Sequence, residues 1–115
     1  MSERRIDKPW GHEIIWAETN RYVGKILRIE NGYSLSLQYH NVKDETVMVQ
    51  SGILTLILGR GDSEVVLKLR PGESQHIPTG MIHRMSALDG DVDVIEVSTP
   101  ELDDVVRLED HYGRV

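Results

Sequence analysis

The sequence predicts an all-β domain, a sandwich or barrel, from three observations. Turn signals recur every eight to twelve residues, the apolar residues are strongly β-branched and fall in short runs, and no long stretch repeats at 3.6 residues before the C-terminal tail. Successive side chains of a strand leave opposite faces, so short alternating segments between Gly, Asn, Asp and Pro read as strands joined by turns.

Tyr22 to Glu30 alternates as a strand and closes on Asn31-Gly32, a strong turn signal. Tyr33 to His40 sets Ser34, Ser36, Gln38 and His40 on one face, with Tyr33, Leu35, Leu37 and Tyr39 on the other. Val47 to Val49 and Ile53 to Leu58 are apolar runs divided by Ser51-Gly52. Gly59-Arg60-Gly61-Asp62 makes a hairpin turn, from which Glu64 to Leu69 returns. Arg70-Pro71-Gly72-Glu73 turns again, Ser74 to Ile77 extends, and Pro78-Thr79-Gly80 breaks the ladder, since proline has no N–H to give. Arg84 to Leu88, Asp89-Gly90-Asp91 and Val92 to Ser98 read as one further hairpin. Thr99-Pro100-Glu101 has the composition of a helix start, so a short helix or an ordered tail is expected over Leu102 to Tyr112.

Residues 1–115 fit a single domain, which buries roughly two thirds of the surface its unfolded chain exposes. With no Phe and two Trp, the core must be aliphatic. A net charge of −6 and a pI near 5.3 argue against a nucleic-acid partner, which needs clustered Lys and Arg. The absence of Cys removes disulfides, thiolate metal sites and cysteine nucleophiles together. No stretch approaches the roughly 20 apolar residues of a membrane helix. The first residues, Met1 to Asp7, lack the apolar core of a signal peptide, so no membrane partner and a cytoplasmic location are expected.

Two segments carry the chemistry. The first runs from Gly32 through Gln38-Tyr39-His40 and Glu45 to Gly52; the second runs from Gly72 through Pro78-Thr79-Gly80 and His83 to Ala87. Their spacings resemble the two-part signature of the cupin superfamily, G-x5-H-x-H-x4-E-x6-G followed by G-x5-P-x-G-x2-H-x3-N. Gln38 stands where the first histidine is usual and Ala87 where the asparagine is usual. The resemblance implies a cupin double-stranded β-helix, a small jelly-roll barrel. It also implies a metal held by Gln38, His40, Glu45 and His83. Gln38 and His40, two apart on a strand, leave the same face.

Two imidazoles, a carboxylate and an amide oxygen suit one divalent transition metal ion, zinc first, with Mn²⁺, Fe²⁺, Co²⁺ or Ni²⁺ also accommodated. Four protein ligands leave room for water or substrate, as catalytic sites do.

The glutamine variant resembles phosphomannose isomerases, and the likeness extends along the chain. Lys8-Pro9-Trp10-Gly11, Ser34 to His40, Ile77 to Arg84, Val94 to Val97 and Val106 to Arg114 are similar to segments of the cupin domain of type II mannose-6-phosphate isomerases. Thr46 and Ile82 depart from that pattern. The resemblance implies aldose–ketose isomerisation of a mannose-6-phosphate-like sugar, with the metal polarising the carbonyl.

A base must then shuttle the proton: Glu96 is the first candidate, with Glu13, His12 and His76 as alternatives. Arg107, Arg114, Lys25 and Arg84 could grip a phosphate, although alternation turns Arg84 away from His83. Trp10 could stack on the sugar. Two other readings stay open. One is an Fe(II)-dependent dioxygenase using His40, Glu45 and His83; the other is a non-catalytic, metal-containing sugar-binding module. Ile53 to Leu58, read as an exposed apolar face, favours a homodimer.

Overall fold

Inward-facing Val, Ile and Leu at alternate positions divide the chain into strands that stack as two antiparallel sheets around an aliphatic core. The computed structural model describes residues 4–114. Its strands are β1 (Arg4–Lys8), β2 (Gly11–Glu18), β3 (Val23–Ile29), β4 (Leu37–Tyr39), β5 (Glu45–Ser51) and β6 (Leu54–Leu58). After a 3₁₀ turn at Gly61–Ser63 come β7 (Val65–Leu69), β8 (Ser74–Ile77), β9 (His83–Ser86), β10 (Val92–Ser98) and β11 (Val106–Glu109). One sheet runs β1-β2-β3-β10-β5-β8 and the other β11-β4-β9-β6-β7. This is the double-stranded β-helix architecture of cupins. Among the described residues no helix is long and apolar enough to cross a membrane.

The inner face of the six-stranded sheet is divided lengthwise. At one end Leu27, Ile29, Val47, Val49, Val92 and Val94 join Leu54, Leu56 and Met85 of the facing sheet in the core. Each such burial contributes about 1.5–3 kcal/mol. At the other end the same strands turn inward Glu13, Lys25, Glu45 and Glu96, all buried. Desolvating an ion costs several kcal/mol, so a row of inward charges persists only where the charges are paired or put to use. The polar end is therefore where a site is to be sought.

Four features differ from the sequence reading. Ser34 and Leu35 lie outside β4, which is only Leu37–Tyr39, although Ser34 makes an isolated bridge to Ser86. The N-terminal hairpin β1–β2, turning at Pro9-Trp10-Gly11, was not read as strands from the sequence. Arg84 to Ser98 is not a hairpin: β9 pairs with β4 and β6, whereas β10 pairs with β3 and β5 in the opposite sheet. Buried Ala87 is tied through both its backbone groups to Gly32 and Tyr33, and the chain crosses between sheets there. The tail is ordered rather than helical. Thr99 accepts from the Asp44 N–H instead of capping a helix, and β11, opening on the β-branched Val106, pairs with β4.

The signature glycine Gly52 has a steric reason. At φ 81° a Cβ would meet the Asp91 carbonyl oxygen at 2.2 Å, so only glycine lets the chain leave β5 past the start of β10.

Ile53 to Leu58 does not offer an exposed apolar face, because Leu54 and Leu56 are core residues and β6 is flanked on both sides. An apolar row, half-buried at its three isoleucines and exposed at Met48, lies on the outer face of the six-stranded sheet instead. Ile14, Ile26, Ile95 and Met48 stand opposite one another across four successive strands. Beside them the Trp16 ring lies so closely on Gly24 that a Cβ there would meet it at 2.6 Å.

Candidate functional site

The end of β4 and the starts of β5 and β9 bring three ligand-type side chains to one point at the polar end of the barrel. His40, Glu45 and His83 each offer an atom within 4.8 Å of the others', and all three are buried. His40 Nδ1–H donates to the Asp104 carbonyl at 2.6 Å and His83 Nδ1–H to the Met81 carbonyl at 2.8 Å. Both rings are thereby held with Nε2 as the bare acceptor, the arrangement in which histidines ligate metals. His40 Nε2 lies 3.0 Å from Glu45 Oε2 and His83 Nε2 lies 3.9 Å from Glu45 Oε1. Neither contact has hydrogen-bond geometry, so both Nε2 atoms and both Glu45 oxygens are buried without hydrogen-bond partners. Buried polar atoms are ordinarily satisfied. Four orphans converging from two imidazoles and a carboxylate fit a divalent cation.

Gln38 stands directly opposite His83 across the β4–β9 pairing. Its Oε1 accepts the Ser36 hydroxyl at 2.6 Å, and it lines the adjoining cavity.

That cavity, about 290 Å³, is lined by His40 and Gln38 on one side and by Lys43, Glu96, Glu13 and Lys25 across it. The charges alternate. Lys43 Nζ sits 3.1 Å from Glu96 Oε2 and 3.4 Å from Glu45 Oε2, and Lys25 Nζ sits 3.4 Å from Glu13. Their proton affinities follow from these contacts. Burial pushes the Glu45 carboxyl up, but the His40 ring, the Lys43 ammonium and His83 outweigh it and hold it at about 2. Burial draws Lys43 down, and Glu96 with Glu45 more than restores it, leaving it raised. Burial first and the Glu45 charge second raise Glu96. His83 is lowered by burial, while in His40 burial is overcome by Glu45 and the Asp104 carbonyl.

Of the residues singled out from sequence, Glu96, Glu13, Lys25, Trp10, Arg107 and Arg114 all line this cavity. Lys25 is occupied by Glu13 and is not a free grip. Arg114 is held by Asp110, whose carboxyl this guanidinium keeps at about 2. Arg107 lines the cavity and its Nε has no hydrogen-bond partner, which makes it the more available cation of the three. Trp10 is also part of the core cluster.

His76 does not line the cavity. It alternates outward from buried Ile77, is exposed, and pairs with Asp44 at 2.6 Å. His12 likewise alternates outward from Glu13. Arg84 points away, donating to the carbonyls of Leu35 and Glu109.

Lys43 was missed in the sequence because it sits in the connection between two ligands. Its signal was the two-residue step to Glu45, which shares its inward face.

A family model described as "Mannose-6-phosphate isomerase C-terminal" matches residues 1–110. The chain is 36% identical over 115 residues to the xanthan biosynthesis protein XanB of Xanthomonas campestris, covering 96% of this chain and 24% of that protein. It is 37% identical over 117 residues to the mannose-1-phosphate guanylyltransferase ManC of Salmonella typhimurium, covering 97% and 23%. The chain thus spans about a quarter of the length of these relatives. Among solved structures it superposes on the capsular polysaccharide assembling protein CapF of Staphylococcus aureus with a TM-score of 0.82. That match has 20% identity and covers 95% of this chain and 32% of the other. With its barrel, its ligand cluster and a match over nearly its whole length, the chain belongs to the mannose-6-phosphate isomerase C-terminal family of the cupin superfamily.

Proposed function

We propose that this domain is a metal-dependent aldose–ketose isomerase acting on a sugar phosphate of the mannose-6-phosphate kind. The observation that carries the proposal is the convergence of four orphaned ligand atoms beside a cavity that also holds a buried carboxylate–ammonium pair. His40, Glu45 and His83 would hold the ion. Gln38, as the cross-strand neighbour of His83, would supply the fourth ligand through its amide oxygen. When bound, a divalent cation polarises the sugar carbonyl and the neighbouring hydroxyl.

The chain's own groups do the rest. Glu96 Oε2 is taken by Lys43, which leaves Oε1 for the substrate; its raised proton affinity suits a base that removes the proton beside the carbonyl and returns it one carbon along. The Lys43 ammonium, held charged by two carboxylates, stabilises negative charge developing on the sugar oxygens. Arg107, which lines the cavity, would meet the phosphate through its guanidinium.

The test is a panel of hexose and pentose phosphates in deuterated water with Zn²⁺ or Mn²⁺. Mannose 6-phosphate is expected to gain deuterium beside its carbonyl and to yield the ketose. A metal-loaded protein that labels no sugar removes the isomerase reading. The same triad is the two-histidine-one-carboxylate set of iron oxygenases. The buried Lys43–Glu96 pair favours proton transfer over that reading. Oxygen uptake by the Fe²⁺-reconstituted protein would reverse the preference.

The homodimer expected from the sequence is assigned to the outer face carrying Ile14, Ile26, Ile95 and Met48. Met48→Lys is expected to leave the fold intact and convert a dimer to a monomer in analytical ultracentrifugation. A monomeric unmodified protein ends that assignment.

A further inference from the structure

The connection between the two ligands His40 and Glu45 is not held by its own strands. Residues 41–44 have no ladder partner, yet their backbone donors are all engaged by the tail. Asp104 Oδ1 accepts the Asn41 N–H at 3.1 Å, and Oδ2 accepts those of Val42 and Lys43 at 2.7 and 2.9 Å. Thr99 Oγ1 accepts the N–H of Asp44 at 3.0 Å. On the opposite side the Thr79 hydroxyl donates to the carbonyls of Val42 and Lys43, and Gly80 N–H donates to the His40 carbonyl. Asp104 acts a second time through its backbone, whose carbonyl takes His40 Nδ1–H at 2.6 Å.

One residue of the tail therefore does two things to the centre. Its carbonyl fixes which nitrogen of His40 carries the proton, leaving Nε2 bare toward Glu45. Its carboxylate gathers three consecutive N–H groups and so sets the turn from which Lys43 points inward to Glu45 and Glu96. A carboxylate accepting several backbone N–H bonds is strongly held in its charged form, and Asp104 is indeed shifted down by the Lys43, Val42 and Asn41 amides, in that order. An alanine at 104 would keep the carbonyl but release the three amides. The turn would then be free to carry His40 and Lys43 off their positions.

We propose that Asp104 is a positioning residue of the metal centre, coupling the C-terminal segment to the orientation of His40 and the placement of Lys43. The inference rests on the metal reading given above, and its test separates the two.

The measurements use the whole chain and its Asp104→Ala and Asp104→Asn variants. Without metal, amide hydrogen exchange is expected to show protected Val42 and Lys43 in the unmodified protein and loss of that protection in Asp104→Ala. The thermal melt identifies variants that remain folded. With Co²⁺ alone as probe, Asp104→Ala is expected to bind 10–100-fold more weakly in chelator competition, as removal of groups that orient ligands does. Its visible absorption band should also change shape. Asp104→Asn retains one acceptor oxygen in the same volume, and an intermediate loss is expected. If Asp104→Ala loses fold, the inference is judged on Asp104→Asn alone.

Exchange protection and Co²⁺ affinity unchanged in a folded variant would overturn the inference while the metal reading stands. An unmodified protein that takes up no Co²⁺ while showing the protected amides would overturn the metal reading, and the positioning role with it.

Discussion

His83→Ala is expected to abolish metal retention, with affinity falling more than about 100-fold, beyond the roughly 10–100-fold that loss of an orienting neighbour costs. His83 is the candidate ligand from the second signature segment, and it faces Glu45 with a bare, buried Nε2. Without it the ion keeps one imidazole and one carboxylate from the triad, and Glu45 is then balanced only by His40 and Lys43. The fold should survive. Removing the ring opens a cavity but also removes an unsatisfied nitrogen, so a net loss of about 1–3 kcal/mol is expected. The check is elemental analysis beside a thermal melt with and without chelator. The unmodified protein should melt higher with metal, by linkage, and the variant should melt alike in both. A variant that keeps stoichiometric metal would remove His83 from the ligand set and with it the centre described here.

Glu96→Gln should behave in the opposite way, keeping the ion and losing turnover by about 10²–10⁴-fold, the contribution of a positioned general base. The amide is nearly isosteric and still accepts from Lys43 Nζ, so the pair's geometry is conserved while the proton acceptor is gone. The pH profile gives an independent reading. A base works only when ionised. Burial, then the Glu45 charge, raise the Glu96 carboxyl above the ordinary glutamate value. The rate should therefore fall as pH drops through that raised value, at higher pH than an exposed glutamate would give. The residual rate of Glu96→Gln should lack this acidic limb. Full activity in the variant, or an acidic limb that survives the substitution, would transfer the proton to another group, with Lys43 and Glu13 next along the cavity.

Most of this centre was legible before any coordinates. The two-residue step from Gln38 to His40, the glycine and proline frames, and the later His83 carried the cupin resemblance that pointed to His40, Glu45 and His83, which the structure brings together. Physically, they fix which face a side chain leaves and where the chain can turn. Glu96 was legible as a candidate for the same reason, sharing a face with Val94 and Ser98, whereas Glu13 was singled out only by its place in the entry segment. His76 and His12 failed because alternation had to be anchored to a buried neighbour: Ile77 and Glu13 take the inner face, and the histidines go outward.

Asp104 and Lys43 were not legible as partners. Sixty residues of sequence separate an acid in an apparent helix from a lysine in an apparent spacer, and only the pairing of β11 with β4 brings them together. The hairpin read over Arg84 to Ser98 failed similarly, since local periodicity is the same whether the next strand returns to its neighbour or crosses to the facing sheet.

The amino-acid sequence by itself determined the all-β class, the family and the chemical kind of the ligands. These depend on side-chain type, alternation and backbone-restricting residues, which act over a few positions. Only the tertiary structure decided which charges share one cavity, which histidine nitrogen is bare, and which face of the barrel is left apolar. Those depend on strand register and sheet order, set by the packing of distant segments rather than by any residue's own preference.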